Sequence, residues 1–118
     1  MEYLLVFKEL KKMMACYEDS LVCKSDILGD YHLDTRHIME NKKPLYFGSV
    51  KTNKNYVSYH LMPVYVQPSL LDNISSKLKK RMQGKSCFNF KAIDAELFAE
   101  LESLTLAVFQ YYEREGYI

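Results

Sequence analysis

Over positions 2 to about 18 the apolar residues Tyr3, Phe7, Leu10, Met14 and Tyr17 recur every three or four places. That is the spacing of one buried face on an amphipathic helix, and it leaves Lys8, Lys11 and Lys12 toward water. From about 20 to 66 the texture changes to short runs of Val, Tyr, Leu and Phe, broken by Gly29, by Asn41-Lys42-Lys43-Pro44 and by Asn53-Lys54-Asn55. Such runs predict three or four antiparallel strands. Pro63 cannot donate a ladder hydrogen bond, so it ends or bulges the last of them, and Pro68 suits the first turn of a helix. Leu71, Ile74, Leu78 and Met82 then form a stripe on a short helical region. Ser75 is the expected N-cap of its second piece, and Gly84 its left-handed C-terminal residue. Alternation returns over positions 86–91, with Phe88 and Phe90 on one strand face. Asp94 caps a long helix with the stripe Leu97, Leu101, Leu104, Val108, Phe109 and Tyr112.

The predicted order is α-β-β-β(-β)-α-β-α. Helices segregated in this way make an α+β domain of two layers, helix on sheet, with a mainly antiparallel sheet. No linker, repeat or biased tract divides residues 1–118, which read as a single domain long enough to bury its own core. The amino terminus has an acidic second residue and an apolar run of only five, which is no signal peptide. No window approaches the roughly 20 apolar residues of a membrane span, so no membrane partner is expected. Cys16, Cys23 and Cys87 are odd in number and lack CxxC spacing, which suits reduced thiols in the cytoplasm.

Tyr56-Val-Ser-Tyr-His-Leu-Met-Pro-Val-Tyr65, followed by Leu78-Lys-Lys-Arg-Met-Gln-Gly-Lys-Ser-Cys-Phe-Asn-Phe-Lys91, resembles the YdhG-like family of uncharacterised bacterial domains. Leu61-Met62-Pro63 and Gly84-Lys85-Ser86-Cys87-Phe88 are the specific pieces, and the likeness spans about the last 75 residues. The resemblance implies a fold shared with secretion-chaperone-like and frataxin-like proteins. It implies no assigned activity, and it brings in iron as a cofactor only by analogy with frataxin-like carriers.

Charge is uneven despite a net value of +1. Lys77, Lys79, Lys80, Arg81, Lys85 and Lys91 run without an acid among them, and an excess of acids follows. A basic segment of this kind raises the local concentration of anions, although the small net charge argues against nucleic acid as the main partner. Tyr59, His60, Lys80, Arg81 and Lys85 are the anion- or ligand-binding candidates, balanced against a merely solvated helix face. Gly84-Lys85-Ser86 lacks the upstream glycine of a phosphate-binding P-loop.

Two sets could hold a metal. Asp30, His32 and Asp34 alternate along one strand face, and Asp94, Glu96 and Glu100 start the last helix. The ordinary alternatives are an edge strand's wet side and acids favoured by a helix macrodipole. Cys87 shares a strand face with Lys85, and neighbouring cations lower a thiol's pKa, but no His is placed beside it by sequence. Tyr46, Tyr56, Tyr59 and Tyr65 crowd the central strands, so an open sheet face rich in tyrosine suggests association. The leading expectation is a non-enzymatic binding or interaction module, a homodimer through that face, with a small acidic ligand or a protein as further partner. An iron carrier is the alternative, and an enzyme acting through Cys87 ranks third.

Overall fold

The computed structural model describes residues 2–118. Helix α1 (Glu2–Ala15) and a 3-10 turn at Glu18–Ser20 precede strands β1 (Val22–Ile27), β2 (Asp30–Ile38), β3 (Pro44–Thr52) and β4 (Val57–Leu61). Short helices α2 (Met62–Val66) and α3 (Ser76–Lys79) flank a 3-10 turn at Pro68–Leu71. Strands β5 (Met82–Gln83) and β6 (Cys87–Phe90) follow, and then the long helix α4 (Ala95–Arg114). The strands form one antiparallel sheet in the order β1-β2-β3-β4-β6-β5. This is the α+β, helix-on-sheet architecture that the periodicities predict. Among the described residues no helix is long and apolar enough to cross a membrane.

Strand alternation decides which side chains the helices cover. Tyr31 and Leu33 of β2, Phe47 and Val50 of β3, Val57, Tyr59 and Leu61 of β4, and Phe88 and Phe90 of β6 turn to the inner face and are buried. They meet Val6, Phe7, Leu10 and Met14 of α1 and Leu97, Leu101, Leu104, Val108 and Tyr112 of α4. Burying each such side chain contributes about 1.5–3 kcal/mol, which makes this two-sided apolar set the main support of the fold.

One irregularity brings α1 onto the centre of the sheet. Leu33 pairs with Gly48 and Asp34 with Tyr46, so Phe47 is an extra residue in β3 and forms a bulge. A Cβ at Gly48 would stand 2.6 Å from the His60 carbonyl oxygen and 2.8 Å from Met14 Cε. Glycine there is the condition for the close approach of Met14.

Local caps follow the sequence with one exception. Ser75 accepts a hydrogen bond from Leu78 N at 3.1 Å, and Asp94 from Leu97 N at 3.0 Å, as expected of N-caps. Gly84 has the expected positive φ of 76° but turns the β5–β6 hairpin rather than ending a helix. The chain leaves α3 at Lys79 and pairs Met82 with Phe88, so Met82 reaches the core edge from a strand. A three-to-four spacing is satisfied equally by a 3-10 turn, one helical turn and a strand that each return to the same apolar edge.

Candidate functional site

With both long helices on the inner face, the outer face shows what the sheet itself presents. Register places Ser25, His32, Ser49, His60, Cys87 and Gln83 in one row across all six strands. The next row carries Ile27, Asp30, Lys51, Ser58 and Asn89. The face is therefore polar. Of the four tyrosines expected on it, Tyr46 stands there, half-buried between two histidines, and Tyr56, just before β4, lines a cavity at its edge, while Tyr59 turns into the core and Tyr65 lies on α2. The tyrosine-lined surface on which self-association was expected is not what the strands build.

At the centre, hydrogen bonds run in one direction. The Ser86 hydroxyl donates to His60 Nε2 at 2.5 Å, His60 Nδ1 donates to Tyr46 Oη at 3.2 Å, and the Tyr46 hydroxyl donates to Ser49 Oγ. His32 stacks on Tyr46 with centroids 4.5 Å apart and meets Asp34 Oδ1 at 2.9 Å. Burial, and then the neighbouring His32, hold the His60 pKa below its usual 6.5, so this imidazole is neutral and suited to donate once and accept once. No buried side-chain polar atom among the described residues lacks a partner. The network is closed on itself and braces the face.

Cys87 lies directly opposite His60, a cross-strand neighbour that the sequence did not reveal. Both ring nitrogens of that histidine are already engaged, and burial pushes the Cys87 thiol above its ordinary pKa. Lys85, expected to lower it, instead places Nζ 5.9 Å from the ring centroid of Tyr65. The thiol is thus kept protonated, which is the opposite of an activated nucleophile.

The outer face ends at the β5–β6 corner in a cavity of about 350 Å³ lined by Tyr56, Lys80, Arg81, Met82, Gln83, Asn89 and Lys91. Lys80 is carried there by the end of α3, Arg81 by the residue before β5, and Lys91 by the residue after β6. Among the described residues no carboxylate lies within 4.0 Å of any of these three cations. The amides are oriented by a second directional chain. Asn53 Nδ2 donates to Ser58 Oγ at 3.0 Å, Ser58 donates to Asn89 Oδ1 at 2.9 Å, and Asn89 Nδ2 donates to Gln83 Oε1 at 2.7 Å. Each amide oxygen accepts one of these bonds, which points Gln83 Nε2 outward as a donor with no partner among the described residues. The cavity offers ammonium, guanidinium and amide N–H groups together, the complement of an oxyanion with several acceptor oxygens.

No family model, curated protein or solved structure matches this chain.

The expected anion set is therefore split. Lys80 and Arg81 line the cavity; His60 belongs to the central network; Lys85 sits against Tyr65. Tyr59 is fully buried on the other face, with its hydroxyl 2.8 Å from Thr105 Oγ1, and cannot share a ligand with His60. Strand alternation separates these adjacent residues. Lys91, expected only as part of the basic segment, joins Lys80 and Arg81 at the cavity, and Tyr56, Gln83 and Asn89 were missed as site residues. Alternation over positions 86–91 also sets Asn89 and Lys91 on one face, but nothing in the sequence shows that Gln83 pairs across a hairpin.

The metal sets do not assemble. Asp30, His32 and Asp34 do share a face, yet His32 and Asp34 pair with each other. Asp94 caps α4, and both oxygens of Glu100 are taken at 2.6 Å by the amide and hydroxyl of Ser75, while Glu96 stands exposed in the first turn of α4. Among the described residues the one trio with mutually close ligand atoms, within 4.8 Å, is Glu18, Cys23 and Asp26. Its carboxylates are already bonded to the Tyr31 hydroxyl and to Lys11, and the Cys23 pKa is raised, first by burial and then by those same acids. That trio is accounted for without an ion.

Proposed function

We propose that this chain is a non-enzymatic binding domain that takes a small oxyanion-bearing ligand at the β5–β6 corner. The observation that carries the reading is the grouping of Lys80, Arg81 and Lys91 around one cavity, with no carboxylate within 4.0 Å of them among the described residues. Like charges held together without counter-charge are unfavourable to folding, and an anionic ligand relieves that repulsion as it binds. The two oriented amides add direction to charge. The exposed thiols of Cys16 and Cys23 support a reducing compartment, and so the cytoplasm, as the place of action. The likeness of the segments around the cavity to the YdhG-like family is part of the same proposal, and it predicts that other members use this corner.

The test is calorimetric titration with inorganic phosphate at low salt, joined to NMR of the side-chain amides. Phosphate should bind, shift the NH2 resonances of Gln83 and Asn89, and bind more weakly as salt rises, because exposed charges are screened beyond about 10 Å at 0.1 M. Exposed Lys-to-Ala or Arg-to-Ala changes cost about 0.5 kcal/mol of stability or less, so Lys80→Ala, Arg81→Ala and Lys91→Ala report on binding rather than folding. Phosphate affinity unaltered in the triple variant, or no shift at Gln83 and Asn89, would refute the site.

A further inference from the structure

A second cavity, of about 180 Å³, adjoins the first, and Arg81 and Lys91 line both. The rest of its wall is mostly apolar: Phe90, Ala92, Ile93 and Leu97. Phe90 and Leu97 are core residues that give this pocket a fixed floor, and Phe98 holds the Phe90 ring edge-on at 4.9 Å. Ile93, in the link between β6 and α4, keeps 47% of its surface exposed above that floor. Asp94 is also on the wall, with one carboxylate oxygen bound to Leu97 N as the helix cap. The two cavities thus differ in kind across a shared pair of cations. One offers donors and no carboxylate; the other offers hydrocarbon and a negative charge that repels an anion.

The geometry points to an organic phosphomonoester carrying a small apolar arm as the ligand, with its phosphate in the first cavity and its arm over Ile93 in the second. This rests on the oxyanion reading of the first cavity and adds the substrate class and the direction of binding. A phosphomonoester, rather than a carboxylate, matches three cations and a free amide because it brings up to two charges and three terminal oxygens. The stems of Arg81 and Lys91 form the passage between the halves, with charged heads on the phosphate and methylenes along the arm.

The experiment is a calorimetric series with inorganic, methyl, ethyl, n-propyl and n-butyl phosphate. Each methylene buried should tighten binding about threefold to fourfold until the arm outgrows the second cavity, after which the gain should stop. Ile93→Ser, at an exposed position, should flatten the series and leave the affinity for inorganic phosphate unchanged. If inorganic phosphate binds and the alkyl series is flat, the arm is overturned and the anion pocket stands. If no phosphate binds, the anion reading has failed and takes this inference with it. A flat soluble series with binding to phosphatidylcholine vesicles containing phosphatidic acid would place the phosphate on a membrane surface and overturn the soluble ligand.

Discussion

Tyr59 separates the core from the site more sharply than any other residue, and removing its hydroxyl is the first perturbation to make. Thr105 donates its own hydroxyl to the Leu101 carbonyl at 2.8 Å, which assigns the Tyr59 hydroxyl as donor to Thr105 Oγ1. Burial raises the Tyr59 pKa, so the phenol keeps the proton that it donates. In Tyr59→Phe the donor disappears and Thr105 remains bonded to Leu101, at a cost of about 0.5–1.5 kcal/mol. In Thr105→Val the acceptor disappears and a fully buried phenolic O–H has no partner, which costs about 1–3 kcal/mol. The double variant removes both groups and should be less damaging than the sum of the singles by about 1 kcal/mol. In a domain of this size 1 kcal/mol shifts Tm by about 3–6 °C, readily measured by urea and thermal unfolding followed by circular dichroism. Phosphate affinity should be unchanged in all three variants. Weakened phosphate binding in Tyr59→Phe at unaltered stability would return this residue to the ligand set, and a Thr105→Val cost no larger than that of Tyr59→Phe would refute the direction of the bond.

Two further outcomes follow from the sheet. His60 is held neutral by burial and by His32, with a folded pKa below the unfolded 6.5. The unfolded chain therefore takes up the proton first, and stability should be full above pH 6.5 and fall as pH drops through the folded pKa; His60→Gln, followed by urea midpoints against pH, should show a shallower fall than the parent, and an equal slope would refute the assignment. At Gly48 an added Cβ meets the His60 carbonyl at 2.6 Å, a backbone atom that cannot swing aside as Met14 Cε can. Gly48→Ala should cost about 1–3 kcal/mol in denaturant unfolding, and Met14→Ala combined with it should give no rescue.

The layers of the fold were legible because they rest on periodicity. The α4 stripe from Leu97 to Tyr112 and the alternation of Phe88 and Phe90 are each carried by one segment, and all of these residues are buried. Gly84 illustrates the limit. Its positive φ was legible, but whether a glycine ends a helix or turns a hairpin depends on a partner strand, and β5 is only two residues long. The same limit governs the site. Lys80 and Arg81 are neighbours in sequence and could be grouped, but Lys91 and Asn89 come to them only through the β5–β6 register. Glu100 was open to reading as a metal ligand until Ser75, 25 residues away, claimed both of its oxygens.

The outer face also shows why a residue type is a weak guide to its role. Asp34, His32, Tyr46, His60 and Ser86 are the side chains from which catalytic sites are assembled, yet their bonds run inward to one another until every buried polar group is satisfied. The β5–β6 corner differs in what it leaves unpaired. Its amide oxygens accept from Ser58 and Asn89, among the described residues none of its cations has a carboxylate within 4.0 Å, and charged donors dominate. A closed network holds a surface in shape, whereas an excess of charged donors is what an oxyanion would complement. That asymmetry, more than the presence of any one lysine, is the ground on which we propose ligand recognition at the corner rather than at the central histidines.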